Sequence, residues 1–230
     1  HPTQEQVSKT HDNTGEQSIV FKPNFELLNT LNSNAKHTIH MAQNTDTQEY
    51  VAVKNIYYSS RPFQSIYNEL QILYQLSGSH CSALTYITMF ECSERVSIIT
   101  EYCETDLLAF TEKHQSIVHQ QFWNIAQQMT EAIAHIQGHN MIHCNLKLSK
   151  WCLKHNRIGV IQLTGFENAL LAHQEDTVMD IRGTLTHLSP QAFVGVYNDY
   201  TDMWGIGICL YTMIYSFLPF QYRISSLDEL

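Results

Sequence analysis

The side chains able to do chemistry gather between Met141 and Ala169, in the stretch MIHCNLKLSKWCLKHNRIGVIQLTGFENA. His143 is an imidazole that could pass a proton. Asn145 is a neutral amide and cannot serve as a general base at neutral pH. Lys147 and Lys150 are ammonium groups with donors and no lone pair, so they attract anions and repel metal ions. Glu167 is a carboxylate close by, read here as a solvent-facing loop residue. Across the stretch, cationic and neutral polar groups outnumber the single carboxylate.

The elements around this stretch must position it. From Phe25 to about Ile99 the pattern is mainly short strands: around Leu27–Leu31, around Ile39, at Tyr50–Lys54 and at Val96–Ile99. One helix interrupts them, with Phe63, Ile66, Tyr67, Leu70 and Leu73 at helical spacing. After Cys103–Asp106 the pattern turns helical. Phe122, Ile125, Ala126, Met129, Ile133 and Ile136 share one face, and Gly138 suits a C-terminal cap. The stretch itself reads as two short apolar strands around a polar turn. A loop over 173–187, Ser189-Pro190-Gln191 and an apolar helix from Asp202 follow. A strand-rich half before a helical half implies two lobes meeting near 101–106.

Composition narrows the classes. The chain has 230 residues and a net charge of −9, with 13 basic and 22 acidic residues. That balance speaks against a nucleic-acid partner or an anionic membrane surface. Six cysteines lack any Cys-x-x-Cys pair, and no His spacing completes a zinc site, which fits reduced thiols in the cytoplasm or nucleus. Residues 1–22 are polar and read as a flexible leader. Met203–Phe220 is an uncharged run of 18 residues. Its Gly, Thr and Ser content and Pro219 favour a buried core helix over a membrane span.

The motifs together resemble a protein kinase domain from about residue 25 to 230. His143-Cys144-Asn145-Leu146-Lys147 stands at the His-Arg-Asp-Leu-Lys loop and Gly165-Phe166-Glu167 at Asp-Phe-Gly. Lys54, in Val51-Ala52-Val53-Lys54, matches the lysine that holds the α- and β-phosphates, and Glu69 on the next helix matches its ion-pair partner. The glycine-rich loop falls on 31–39, with Asn32, Asn34 and His37 at its glycine positions. Thr100 takes the gatekeeper place, and Glu101, Tyr102 and Cys103 the hinge. The base position is Asn145, while Lys147 keeps the loop lysine. The two magnesium-ligand positions carry Lys150 and Gly165, so no metal is expected. By the same resemblance His143 is structural and ties the loop to Asp202, and Ser189-Pro190-Gln191 is the Ala-Pro-Glu motif without its acid.

The resemblance implies an α+β, two-lobed kinase-like fold whose large lobe is truncated after its central helix. The small lobe covers about 23–100, the hinge about 101–106 and a partial large lobe about 107–230. Leu146-Lys147-Leu148-Ser149-Lys150 and Gly165-Phe166-Glu167-Asn168-Ala169 are similar to the Tribbles pseudokinases, as are Leu210–Met213, Pro219-Phe220 and Ser225–Leu227. That likeness implies a non-enzymatic adaptor working through protein partners: a ubiquitin ligase, a MAP kinase kinase or a substrate protein. No cofactor is then required, beyond ATP held weakly without metal. The alternative is an ATP-binding serine/threonine kinase of weak or residual activity, its nucleotide held by Lys54, Glu69, Thr100, Glu101, Cys103, Asn32 and Asn34.

Overall fold

The computed structural model describes residues 24–77, 83–114, 119–153, 159–171 and 181–220. The leader expected over 1–22 and the motif Ser225–Leu227 lie outside them, as does most of the loop expected over 173–187. The chain forms two compact units.

The first unit takes described residues 24–62 and 87–102. Its strands are β1 (Phe25–Ser33), β2 (His37–Asn44), β3 (Tyr50–Tyr57), β4 (Tyr86–Glu91, whose first residue groups with the second unit) and β5 (Arg95–Glu101). They make one sheet in the order β1-β2-β3-β5-β4, antiparallel at β1/β2, β2/β3 and β3/β5. Alternation explains the burial: Val51 and Val53 point into a core with Ala42 and Ile99, closed by Phe25 and Phe90, while Lys54 is half-buried. Asn55 is buried one step further along, and its Oδ1 accepts from Ser97 Oγ at 2.7 Å. β4 was not legible as a strand, because its residues alternate only between exposed and half-buried.

The second unit takes described residues 63–86 and 103–220. It contains α1 (Phe63–Leu76), β6 (Thr105–Asp106), α2 (Leu107–His114), α3 (His119–Gly138), β7 (Met141–Ile142), β8 (Trp151–Leu153), β9 (Ile161–Leu163), β10 (Leu170–Leu171) and α4 (Asp199–Tyr215). The small strands pair as β6-β8-β9 and β10-β7, antiparallel throughout. α3 buries Ile125, Ala126, Met129, Ala132, Ile133 and Ile136 and packs on α4. In α1 the buried face is Ile66, Glu69, Ile72, Leu73 and Leu76. Phe63 and Tyr67, expected on that face, instead stack on each other in the open, with centroids 6.3 Å apart. Their spacing was helical, but the core lies on the side that carries Glu69.

α4 begins three residues before the expected Asp202. Asn198 caps it: its Oδ1 accepts from Tyr200 N at 3.0 Å, and its own N–H donates to Thr201 Oγ1 at 3.0 Å. It ends where Ser216 turns left-handed, at φ 61°. The uncharged run 203–220 is therefore not one helix. No helix among the described residues is long and apolar enough to cross a membrane.

Candidate active site

The loop after β7 is fixed from beneath by α4. The His143 N–H donates to Asp202 Oδ2 at 2.7 Å and the Cys144 N–H to Oδ1 at 3.0 Å. Cys144 adopts φ +65°, so the chain reverses there and both amides reach one carboxylate. The approach is close. A Cβ on Gly205 would lie 2.8 Å from Leu146 Cβ, so the bare helix backbone makes room for the loop. Asp202 is buried, which raises its carboxyl to about 6 against the two amides that hold it down.

His143 has no exposed surface. Its Nε2–H donates to the Thr164 carbonyl at 3.1 Å, which leaves Nδ1 as the acceptor for the Asn145 N–H at 3.3 Å. Both ring nitrogens are thus occupied in one tautomer. Burial, with Lys150 near, lowers its pKa to about 4, so the ring is neutral at physiological pH. Phe166 meets it edge-on at 5.0 Å between centroids. The sequence reading tied this residue to Asp202. The link runs through its backbone amide, while the imidazole joins the loop to the end of β9.

Past His143 the chemistry-bearing side chains come together. Asn145 is buried, and its Oδ1 accepts from Thr184 Oγ1 at 2.8 Å. A tight turn at Leu148–Lys150 closes with Lys150 N donating to Lys147 O at 2.8 Å. Burial and the Lys150 ammonium both lower the Lys147 pKa. His187 is lowered to about 4, first by burial and then by Lys147. Lys150 Nζ donates to Glu167 Oε1 at 2.6 Å, with both side chains under one-fifth exposed. Glu167 is therefore not the solvent-facing residue expected. Thr164 N donates to Lys150 O at 2.9 Å, tying the two loops together.

Gly165 explains how the pair fits. It has φ +84° and ψ 51°, the left-handed region that favours glycine. A Cβ there would stand 2.4 Å from Lys150 Nζ, 2.6 Å from Cδ and 2.8 Å from Cε. The lysine side chain occupies the volume that a side chain at 165 would need. Lys150, Gly165 and Glu167 are one substitution in three parts: an ammonium, the space for it and its counter-ion. These residues do not fit a divalent ion. One expected ligand is absent, the other is a cation, and the nearest carboxylate is engaged. No group of three or more His, Cys, Asp or Glu among the described residues could hold one either.

The remaining residues picked out in the sequence are divided between the units. Lys54 lies on β3 opposite Ile39 and Ile98, with Thr100 and Glu101 on β5 opposite Ala52 and Val51. Glu69 is buried on α1, in the second unit. Cys103 is there too, its Sγ donating to Gln162 Oε1 at 3.6 Å. At the tip of β1/β2, Asn34 Oδ1 accepts from Lys36 N at 2.8 Å and His37 N at 3.0 Å. The turn is thus held by a side-chain acceptor, since neither Asn32 nor Asn34 adopts the positive φ that asparagine tolerates.

A model of the protein kinase domain matches residues 29–229. The chain belongs to the protein kinase domain family. It is similar to a probable serine/threonine-protein kinase of Dictyostelium discoideum, 27% identical over 213 residues, which are 86% of this chain and 18% of that protein. It is 28% identical over 189 residues to the protein kinase domain-containing protein ppk9 of Schizosaccharomyces pombe, covering 80% and 35% of the two chains. With the serine/threonine-protein kinase cds1 of the same organism it shares 23% over 234 residues, 94% of this chain and 50% of that one. The kinase chain thus spans between about a fifth and a half of these relatives. The five-stranded sheet and the helical second unit are the α+β fold that the sequence implied.

One expectation is corrected here. The lost acids pointed to a protein that is not an enzyme. Two of the relatives matched are instead named as serine/threonine-protein kinases, one of them as probable. The substitutions at 145, 150 and 165 therefore stand in a chain whose relatives carry kinase names. The Lys150–Glu167 pair and the Thr184 contact were missed in the sequence. A signal for the pair was present: opposite charges at 150 and 167, with a glycine at 165.

Proposed function

We propose that the chain is an ATP-binding serine/threonine protein kinase domain with weak phosphotransfer activity. The observation that carries this reading is the fixed catalytic loop: two backbone amides on Asp202 and a His143 with both nitrogens engaged. That order serves Lys147, which the family uses to neutralise charge on the transferred phosphoryl group. Phosphoryl transfer depends mostly on positioning and electrostatic stabilisation. Loss of a general base costs about 10²–10⁴ in rate and leaves the positioning of Lys147 in place.

The nucleotide would be held by Lys54, with Thr100, Glu101 and Cys103 at the adenine end and Asn32 and Asn34 over the phosphates. The acceptor would be a protein serine or threonine. Within the family, the likeness to Tribbles proteins rests on Leu146–Lys150 and Gly165–Ala169, with Leu210–Met213, Pro219-Phe220 and Ser225–Leu227 beside them. The relatives named above supply no adaptor role to join to it.

Phosphoamino-acid analysis after incubation with γ-labelled ATP tests the proposal. Slow incorporation on serine or threonine is expected, lost in Lys54→Met. Equal label in wild type and Lys54→Met would overturn it.

A further inference from the structure

The three-part substitution at 150, 165 and 167 has a consequence for ligand binding. The loop presents two ammonium groups, Lys147 and Lys150, and one carboxylate, Glu167. Lys150 is 17% exposed and its partner 19%, so the pair borders solvent and is not sealed in the core. The lysine rests on the bare backbone of Gly165, its Cδ, Cε and Nζ all within the reach of an added Cβ. It is thus held from below by the glycine, from one side by Glu167 and through its own backbone by Thr164 and Lys147.

A cation fixed this way is a built-in counter-ion. Its bond to a single carboxylate oxygen uses one of three ammonium donors. A phosphate oxygen can take another, or replace Glu167 altogether, because charge-assisted bonds to phosphate and carboxylate are alike in length and strength. A divalent ion at the same place would have to displace the ammonium or face its charge.

We propose that Lys150 replaces the divalent ion of this family, so that the domain binds nucleotide polyphosphates without metal. This rests on the kinase reading above. Glu167 then acts as a gate on the site. It holds Lys150 when no phosphate is present and competes with the ligand for it.

The test is calorimetric titration of the full chain with ATP, once in EDTA and once in excess Mg²⁺, with inorganic tripolyphosphate as a second probe. Equal affinity in the two buffers, within about threefold, is expected. Lys150→Met should weaken ATP by about tenfold or more, and Glu167→Gln should tighten it by a few-fold. Thermal midpoints of the variants separate loss of binding from loss of folding. The pair Lys150→Asn with Gly165→Asp restores the family's ligand types and should make binding Mg²⁺-dependent. Tenfold tighter binding by the wild type in Mg²⁺ would overturn the counter-ion role and leave the kinase reading standing. No ATP binding in either buffer would overturn both.

Discussion

Replacing Gly165 with alanine tests whether 150, 165 and 167 act as one unit. Two costs are expected. The left-handed backbone at φ +84° is unfavourable for any residue with a Cβ, by about 1 kcal/mol. The new methyl would sit 2.4 Å from Lys150 Nζ and 2.6 Å from its Cδ, so the lysine must swing away from Glu167. That pair is between one-sixth and one-fifth exposed, and after screening its loss costs about 1 kcal/mol. Gly165→Ala should therefore destabilise by about 2 kcal/mol, the sum of those two costs. In a Lys150→Ala background only the backbone cost remains, so the same change should cost about 1 kcal/mol. Urea unfolding of the four proteins gives the cycle, read at unchanged m. The expected coupling of about 1 kcal/mol exceeds the 0.3–0.5 kcal/mol scatter of independent sites. Additive effects would refute the argument, because the lysine would then not occupy the space at 165.

Further outcomes follow from the loop. His143 stays neutral because its pKa falls from 6.5 to about 4 on folding. The unfolded chain gains its proton first as pH falls, so the contribution of the imidazole to stability should drop by about 3 kcal/mol between pH 6.5 and 4. Asp202, raised to about 6, works in the opposite sense below that pH. Comparison with His143→Gln isolates the imidazole: the advantage of wild type over the variant should shrink on acidification, and parallel stability curves would count against the buried neutral ring. Gly205→Ala should cost about 1–3 kcal/mol by forcing α4 off Leu146, and Leu146→Gly, which removes the clashing Cβ, should reduce the added cost of the alanine. A Gly205→Ala protein as stable as wild type would show that the helix and loop do not touch.

The sequence made the fold legible wherever a single period ran long enough. β3 alternates along most of its length, β5 is a short run buried from Val96 to Thr100, α3 carries a full apolar stripe, and the motifs fell in family order. β4 escaped because no face of it is buried. The face of α1 was read wrongly because Phe63 and Tyr67 are apolar yet turned outward. At the site, each replaced acid was visible by itself. The ion pair was not, since Lys150 and Glu167 are 17 residues apart and only the fold brings them to 2.6 Å. Thr184 reaches Asn145 across 39 residues for the same reason. The relatives corrected the largest inference: the missing acids stand in a chain similar to proteins named as serine/threonine kinases.

On the reading proposed above, the loop still transfers phosphate, slowly, for want of a base. Asn145→Asp supplies one at a position already held by its own N–H on His143 Nδ1 and by Thr184. The measurement is single-turnover transfer from γ-labelled ATP to a serine-containing acceptor protein, for wild type, Asn145→Asp and Lys54→Met. Wild type should transfer above the Lys54→Met background, and Asn145→Asp should be faster by about 10²-fold or more. Wild-type transfer no greater than that of Lys54→Met, with Asn145→Asp equally silent, would contradict it.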